Sequence, residues 1–294
     1  TNQTLEDFAL RYTPVSARRW SAKRVVMTAL SAITFLALEA IGGALTLTYG
    51  FNYVVVAVIL VSIIIFALSM PIAINAAKNG LDIDLLTRGA GFGYLGSTVT
   101  SLIYASFTFI FFALEAAIMA MALNMLFGLP LHFGYLIGSV VVIPLVTWGF
   151  TFISRFQQFT QFCWLALQLL PFIFILIREH HVLQNWIDFP GFITARDGSF
   201  DFLQLGAVCS VLLSLVSQVG EQVDQVRFLP KPQHPARWRW YGAVIAAGPG
   251  WVVIGAIKIL LGSFLAVLAF NYGLGAELAS EPTHMYLVAF SYVT

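Results

Sequence analysis

Four ionisable residues stand in apolar stretches where none is expected: the acids Glu39, Glu115 and Glu221, and the base Lys258. A charge at the centre of a membrane span costs about 2.5–3.5 kcal/mol on insertion scales, which makes each a candidate functional residue whose partner must be found. Pairing Lys258 with one carboxylate is the structural account. It leaves acids over, and an unpaired buried carboxylate takes up a proton or meets a cation. The chemistry open to such a set is therefore cation binding or proton transfer. Gly42-Gly43 follow Glu39 by three residues. Adjacent glycines lower the cost of unwinding a helix, and broken helices at the bilayer midplane expose carbonyls and half-helix ends to substrates and ions. A small-residue notch where two helices pack accounts for the same pair.

The elements that must position these residues follow from composition and the charge map. The 294 residues are 59% hydrophobic and only 10% charged, against about a quarter charged in a soluble domain. A water-soluble core of this size cannot hide that much apolar surface, so lipid must solvate much of it. A net charge of +1 gives no footprint for a nucleic acid polymer or an acidic partner. Glu39 is the only charge between Arg24 and Lys78, and Glu115 the only one between Arg88 and Arg155. A span needs about 20 mostly apolar residues, so each stretch holds two. The charge map predicts an all-α integral membrane protein with spans near 25–48, 53–77, 98–127, 134–154, 158–177, 203–226 and 241–270, and an eighth starting near 284. Residues 1–24 form a polar, basic leader to a transmembrane domain over 25–294. The last apolar run stops partway, as expected of a piece of a longer protein.

Lys and Arg concentrate on the cytoplasmic side of membrane proteins. With the N-terminus inside, the inner segments collect Arg11, Arg18, Arg19, Lys23, Arg24, Lys78, Arg88, Arg155, Arg227, Lys231, Arg237 and Arg239, and the outer ones only Arg178 and Arg196. The N-terminus is therefore expected in the cytoplasm, with the chain multi-pass in the cell membrane. The outer segment 178–201 carries Glu179-His180-His181 with Trp186, Phe189, Phe192 and Phe200, and reads as an interfacial loop with an aromatic belt. Cys163 and Cys209, both in apolar stretches, read as inert buried thiols. Gly248-Pro249-Gly250 reads as a kink or a loose helix start. No zinc-ligand spacing, nucleophile elbow or filter motif falls within a span, so neither an enzyme nor a channel is expected.

Several segments together resemble the nucleobase–cation symporter family, in particular its cytosine and purine permease branch. Pro14-Val15 with Arg18-Arg19-Trp20 is similar to the family's leader. Gly80-Leu81 followed by Leu85-Leu86-Thr87-Arg88 and Phe92-Gly93 resembles its signature between spans two and three, and Asp224-Gln225-Val226-Arg227-Phe228 its motif after span six. The resemblance covers residues 14 to 294. It implies a LeuT-like bundle of two inverted five-helix repeats, about twelve spans in all, with the first and sixth helices broken and a substrate site between spans one, three, six and eight. It further implies gating roles for Arg88, Phe92, Gly93, Asp224 and Arg227. A sodium site would draw on span-one carbonyls around Leu38 and Ile41 and on hydroxyls of the eighth span.

The family stacks a planar base on tryptophans of spans three and six, and the matching positions here are Phe111 and Leu215. Thr108 lies one turn before Phe111, and Ser217 keeps a family serine. Glu115 and Glu221 stand where the family is usually neutral. The expected substrate set is thus Glu39, Gly42, Gly43, Thr108, Phe111, Glu115, Leu215, Ser217 and Glu221. Loss of aromatics with gain of acids points to a cationic or amine-bearing solute, or to proton coupling through a carboxylate. The activity implied is secondary active transport of a small nitrogenous solute such as a nucleobase, with Na+ or H+ as coupling ion and no other cofactor. The alternative is a permease-like domain that senses a ligand for a signalling protein. The residues after Thr294 separate the two: further spans favour transport, a soluble kinase-like or cyclase-like domain favours sensing.

Overall fold

The computed structural model describes residues 11–147, 149–193, 200–232 and 237–293. Arg196 and the first ten residues of the leader lie outside them. Every regular element among the described residues is helical. In chain order these are α1 (Ala22–Ser31), α2 (Ala37–Tyr49), α3 (Phe51–Asn79), α4 (Ile83–Thr87), α5 (Gly93–Phe127), α6 (Leu131–Thr147), α7 (Phe150–Arg178), α8 (His180–Ile187), α9 (Phe202–Leu213), α10 (Gln218–Val226), α11 (Arg237–Ala247), α12 (Trp251–Asn271), α13 (Ala276–Ala279) and α14 (Pro282–Ser291).

Among the described residues, five helical stretches are long and apolar enough to cross a membrane: Phe51–Asn79, Ile83–Phe127, Phe152–Arg178, Phe202–Val226 and Arg237–Asn271. Their burial differs sharply. The best window of the last stretch is 67% buried, and that of Ile83–Phe127 only 11%. Thus α12 is the central helix, while α5 turns Leu95, Leu102, Phe109 and Ile110 outward. A soluble monomer does not leave so much contiguous apolar surface uncovered. An all-α, multi-pass membrane protein does.

Four expectations need correction. The break in the first span falls between Ser31 and Ala37, not at Gly42-Gly43. Ile33, Thr34 and Phe35 are β-branched or aromatic and lose χ1 freedom in a helix. The Thr34 hydroxyl donates to the Ser31 carbonyl at 2.9 Å, giving it a side-chain partner where the helix ends. The boundary between the fourth and fifth spans lies at Gly149, with φ +82°, so exposed Arg155 belongs to α7 rather than to a loop. Part of the outer segment, His180–Ile187, forms α8 rather than a loop; Trp186 and Phe189 are half-buried, while Phe192 and Phe200 are exposed. Trp186 donates to Ser263 at 2.8 Å, and Phe189 and Phe192 meet Phe270 edge-on. Finally, Cys163 is exposed and Cys209 half-buried, so neither is the buried thiol expected.

Other expectations hold. The Gly248–Gly250 turn divides α11 from α12; α14 starts at Pro282, near the expected start of an eighth span, but its 10 residues are not among the five stretches long enough to cross. The core runs through α1, α2, α3, α9, α10, α11 and α12, with Leu38, Val54, Leu212, Val223 and Val244 almost fully buried. The closest crossing is α2 on α12. A Cβ at Gly42 would fall 1.9 Å from the Ile259 carbonyl oxygen, and one at Gly262 would fall 2.1 Å from that of Glu39.

Candidate functional site

The interruption before α2 leaves the first backbone N–H groups of that helix without intrahelical acceptors. Glu115 supplies one. Its Oε1 accepts from the Ala37 N–H at 2.8 Å, with the Leu36 N–H beside it. A carboxylate also suits the positive end of a helix dipole. Glu115 therefore holds a half-helix end in place from the neighbouring span.

Glu115 is reached from α5 together with Thr108, Phe111 and Phe112, and these line a cavity of about 230 Å³ with Phe35, Phe107, Gln218 and Glu221. The i, i+4 rule puts Phe107, Phe111 and Glu115 on one face of α5. Phe107 and Phe111 lie 4.6 Å apart between centroids at 40°, and Phe35 meets Phe111 edge-on at 5.2 Å. On the far wall, the helix of the sixth span tightens into a 3₁₀ segment at Ser214–Ser217 before α10 begins. Such a mid-helix segment is a common place for a hinge. The first turn of α10 carries Gln218, whose Nε2 donates to Glu221 Oε2 at 2.5 Å. Tyr104 lies across Gly220, whose Cβ would come within 2.9 Å of the ring. Among the described residues, no basic side chain lies in ion-pair reach of Glu115 or Glu221.

Glu39 lies elsewhere. It is fully buried on α2, paired with Lys258 Nζ of α12 at 2.5 Å, and accepts from Gln168 Nε2 of α7 at 3.1 Å. The Tyr286 hydroxyl of α14 donates to the Gln168 carbonyl oxygen, and the Lys258 ammonium sits 4.7 Å from the centroid of the Trp164 ring. This cluster backs onto a second cavity of about 1130 Å³, lined in part by Thr34, Glu115, Trp164, Gln168 and Tyr286. Glu115 is common to both cavities.

The structure thus brings together Thr108, Phe111, Glu115 and Glu221 from the expected substrate set, and separates the rest. Gly42 and Gly43 are buried inside α2 and form the notch against α12, not the break. Leu38 and Ile41 stand within the same helix, so their carbonyls belong to its regular ladder and are not free for a cation. Leu215 is buried and lines a separate cavity of about 20 Å³ with Val58 and Trp251. Ser217 is half-buried beside the main cavity but does not line it, and Gln218 takes that place.

The motif residues occupy the end of the bundle that carries the leader. Asp224 Oδ1 accepts from the Ile83 N–H at 3.3 Å, and Arg227 Nη1 lies 3.6 Å from Asp82 Oδ2, which joins the two signature segments. Arg88 instead donates to Ser97 at 3.2 Å and stacks on Tyr94, while Phe92 is 59% exposed and Gly93 opens α5 at φ +64°. Arg18 is buried and clamps three carbonyls, those of Ala77, Lys78 and Leu229. Burial draws its guanidinium below the usual arginine pKa.

Phe35, Phe107, Gln218, Gln168 and Tyr286 were not singled out from sequence. Two of them left a signal: Phe107 precedes Phe111 by four residues and Gln218 precedes Glu221 by three, both helix-neighbour spacings. Compared with protein-family models and with curated proteins, the chain has no match.

Proposed function

We propose that this chain is the permease-like part of a secondary active transporter for a small nitrogenous solute, coupled to a proton or a cation. The observation that carries the reading is the cavity of about 230 Å³ where the interruption of the first span meets the 3₁₀ segment of the sixth. Phe35 enters it from the first, and Gln218 and Glu221 from the opening of α10, immediately after the second. Two interrupted helices beside one open, largely aromatic cavity that carries two carboxylates give a bundle both a binding place and hinges next to it. The LeuT-like arrangement and kinship with nucleobase–cation symporters belong to the same proposal. Their support is the resemblance of the Gly80–Gly93 and Asp224–Phe228 segments, together with the positions of the two interruptions. A coupling ion would act through the carboxylates, since the carbonyls of Leu38 and Ile41 are engaged in α2.

Uptake into proteoliposomes holding the full-length protein tests this. Labelled cytosine, uracil, hydantoin and small amines would be supplied under an imposed sodium or proton gradient. The proposal expects gradient-driven accumulation of at least one, reduced several-fold by Phe111→Ala through loss of ring stacking. Binding of the same solutes without any uptake would contradict transport and favour ligand sensing.

A further inference from the structure

We infer that the solute held between α5 and α10 is a small protonated amine rather than a neutral base. This rests on the reading of that cavity as the solute site, and concerns which chemistry it accepts.

The hydrogen-bond inventory of the lining carries the argument. Glu115 and Glu221 both line the cavity, and in the ionised form that a bound cation would select they only accept. The Thr108 hydroxyl spends its one proton on the Tyr104 carbonyl at 3.1 Å, so it offers the cavity no donor. The Gln218 amide spends a donor on Glu221, and Ala37 spends its N–H on Glu115. What remains toward the cavity is mostly acceptor. A nucleobase edge alternates donors and acceptors, so its own acceptors would go unpaired here, and a buried unpaired group weakens binding. An ammonium or amidinium group has donors alone.

The rings point the same way. Phe35, Phe107, Phe111 and Phe112 line one cavity, and Phe35 stands at 72° to Phe111, so the rings form a corner rather than a flat slot. Aromatic faces carry negative potential and attract a cation within about 6 Å. A planar base needs parallel faces to be sandwiched; a rounded cation does not. The charge balance also agrees. Lys258 pairs directly with Glu39 and reaches this cavity only at longer range, through Glu115. The helix end answers part of the Glu115 charge. Glu221 has only the Gln218 amide, and it is the residue assigned to meet the ammonium. The volume, about 230 Å³, suits a small solute.

Equilibrium binding to the full-length protein in nanodiscs tests the inference with benzylamine, its neutral counterpart benzyl alcohol, cytosine and uracil. Benzylamine is expected to bind about tenfold or more tightly than benzyl alcohol, as charge-assisted hydrogen bonds imply. Glu221→Gln should remove that preference while keeping side-chain shape, and Thr108→Val should weaken benzylamine several-fold without touching a charge. Equal binding of benzylamine and benzyl alcohol would overturn the inference. If cytosine or uracil also bound, the solute-site reading would survive that failure. If none of the four bound, both would fall.

Discussion

Glu39 and Lys258 are the clearest case of a chemical possibility resolved by a neighbour. Both are almost fully buried and 2.5 Å apart. Removing one partner of such a pair strands the other charge, whereas removing both is often nearly neutral. Lys258→Met should therefore lower the melting temperature of the detergent-solubilised protein sharply, and Glu39→Gln added to it should restore most of the loss. Equal melting of the single and double variants would show that the pair is not coupled. The presence of one buried base among three acids was legible from the sequence. Which acid takes the base was not, because the choice depends on where α2 crosses α12. Of the expected set, Glu115 and Glu221 were legible as charges in apolar spans, and Thr108 and Phe111 through the family resemblance, turn spacing then keeping Thr108, Phe111 and Glu115 close on α5. Leu215 and Ser217 were misplaced because the 3₁₀ segment rotates the chain before α10.

At the scale of elements, the paired glycines drew attention to the right helix. Sequence left the pair open between a breaker and a packing notch, and the tertiary crossing uses it as the notch. The chain instead breaks at the β-branched and aromatic residues just before α2. Gly42→Ala should destabilise by about 1–3 kcal/mol, the cost of overpacking a close contact. Gly206→Ala on α9, where a Cβ would meet nothing within 4 Å, should be neutral or stabilise by about 0.5–1 kcal/mol by helix propensity. Denaturant melts of the two variants check the contrast, and a similar loss in both would remove the case for a tight α2–α12 crossing. The boundary at Gly149 was missed because Arg155 was taken to mark a loop, when charge can equally sit in the opening turns of a helix.

Across the whole molecule, the described part of the leader, from residue 11, is tied to the bundle. Arg18 reaches the carbonyls at the end of α3 and the chain after α10, close to the Asp82–Arg227 pair. Arg18→Ala should cost about 1–3 kcal/mol through buried carbonyls left unpaired. Arg18→Lys should not restore it, since one ammonium cannot replace a planar fork of donors. Melting both variants beside the parent checks this, and full rescue by Lys would reduce Arg18 to a point charge. The membrane class itself was readable from composition, since 59% apolar residues leave no other solvent for α5. The partner of each polar group in the bilayer was not readable, because it depends on contacts between residues far apart in the chain.

The central claim is that the cavity between the interrupted first span, α5 and α10 is a solute site reached alternately from the two sides of the membrane. Cysteine accessibility at Thr108 addresses it most directly, in a full-length background with Cys163 and Cys209 replaced by alanine. A membrane-impermeant thiol reagent would be applied from each side in turn, with and without a saturating transported solute. The account predicts that Thr108→Cys is labelled from both sides and protected by the solute. Labelling from one side only, or labelling that the solute leaves unchanged, would contradict it.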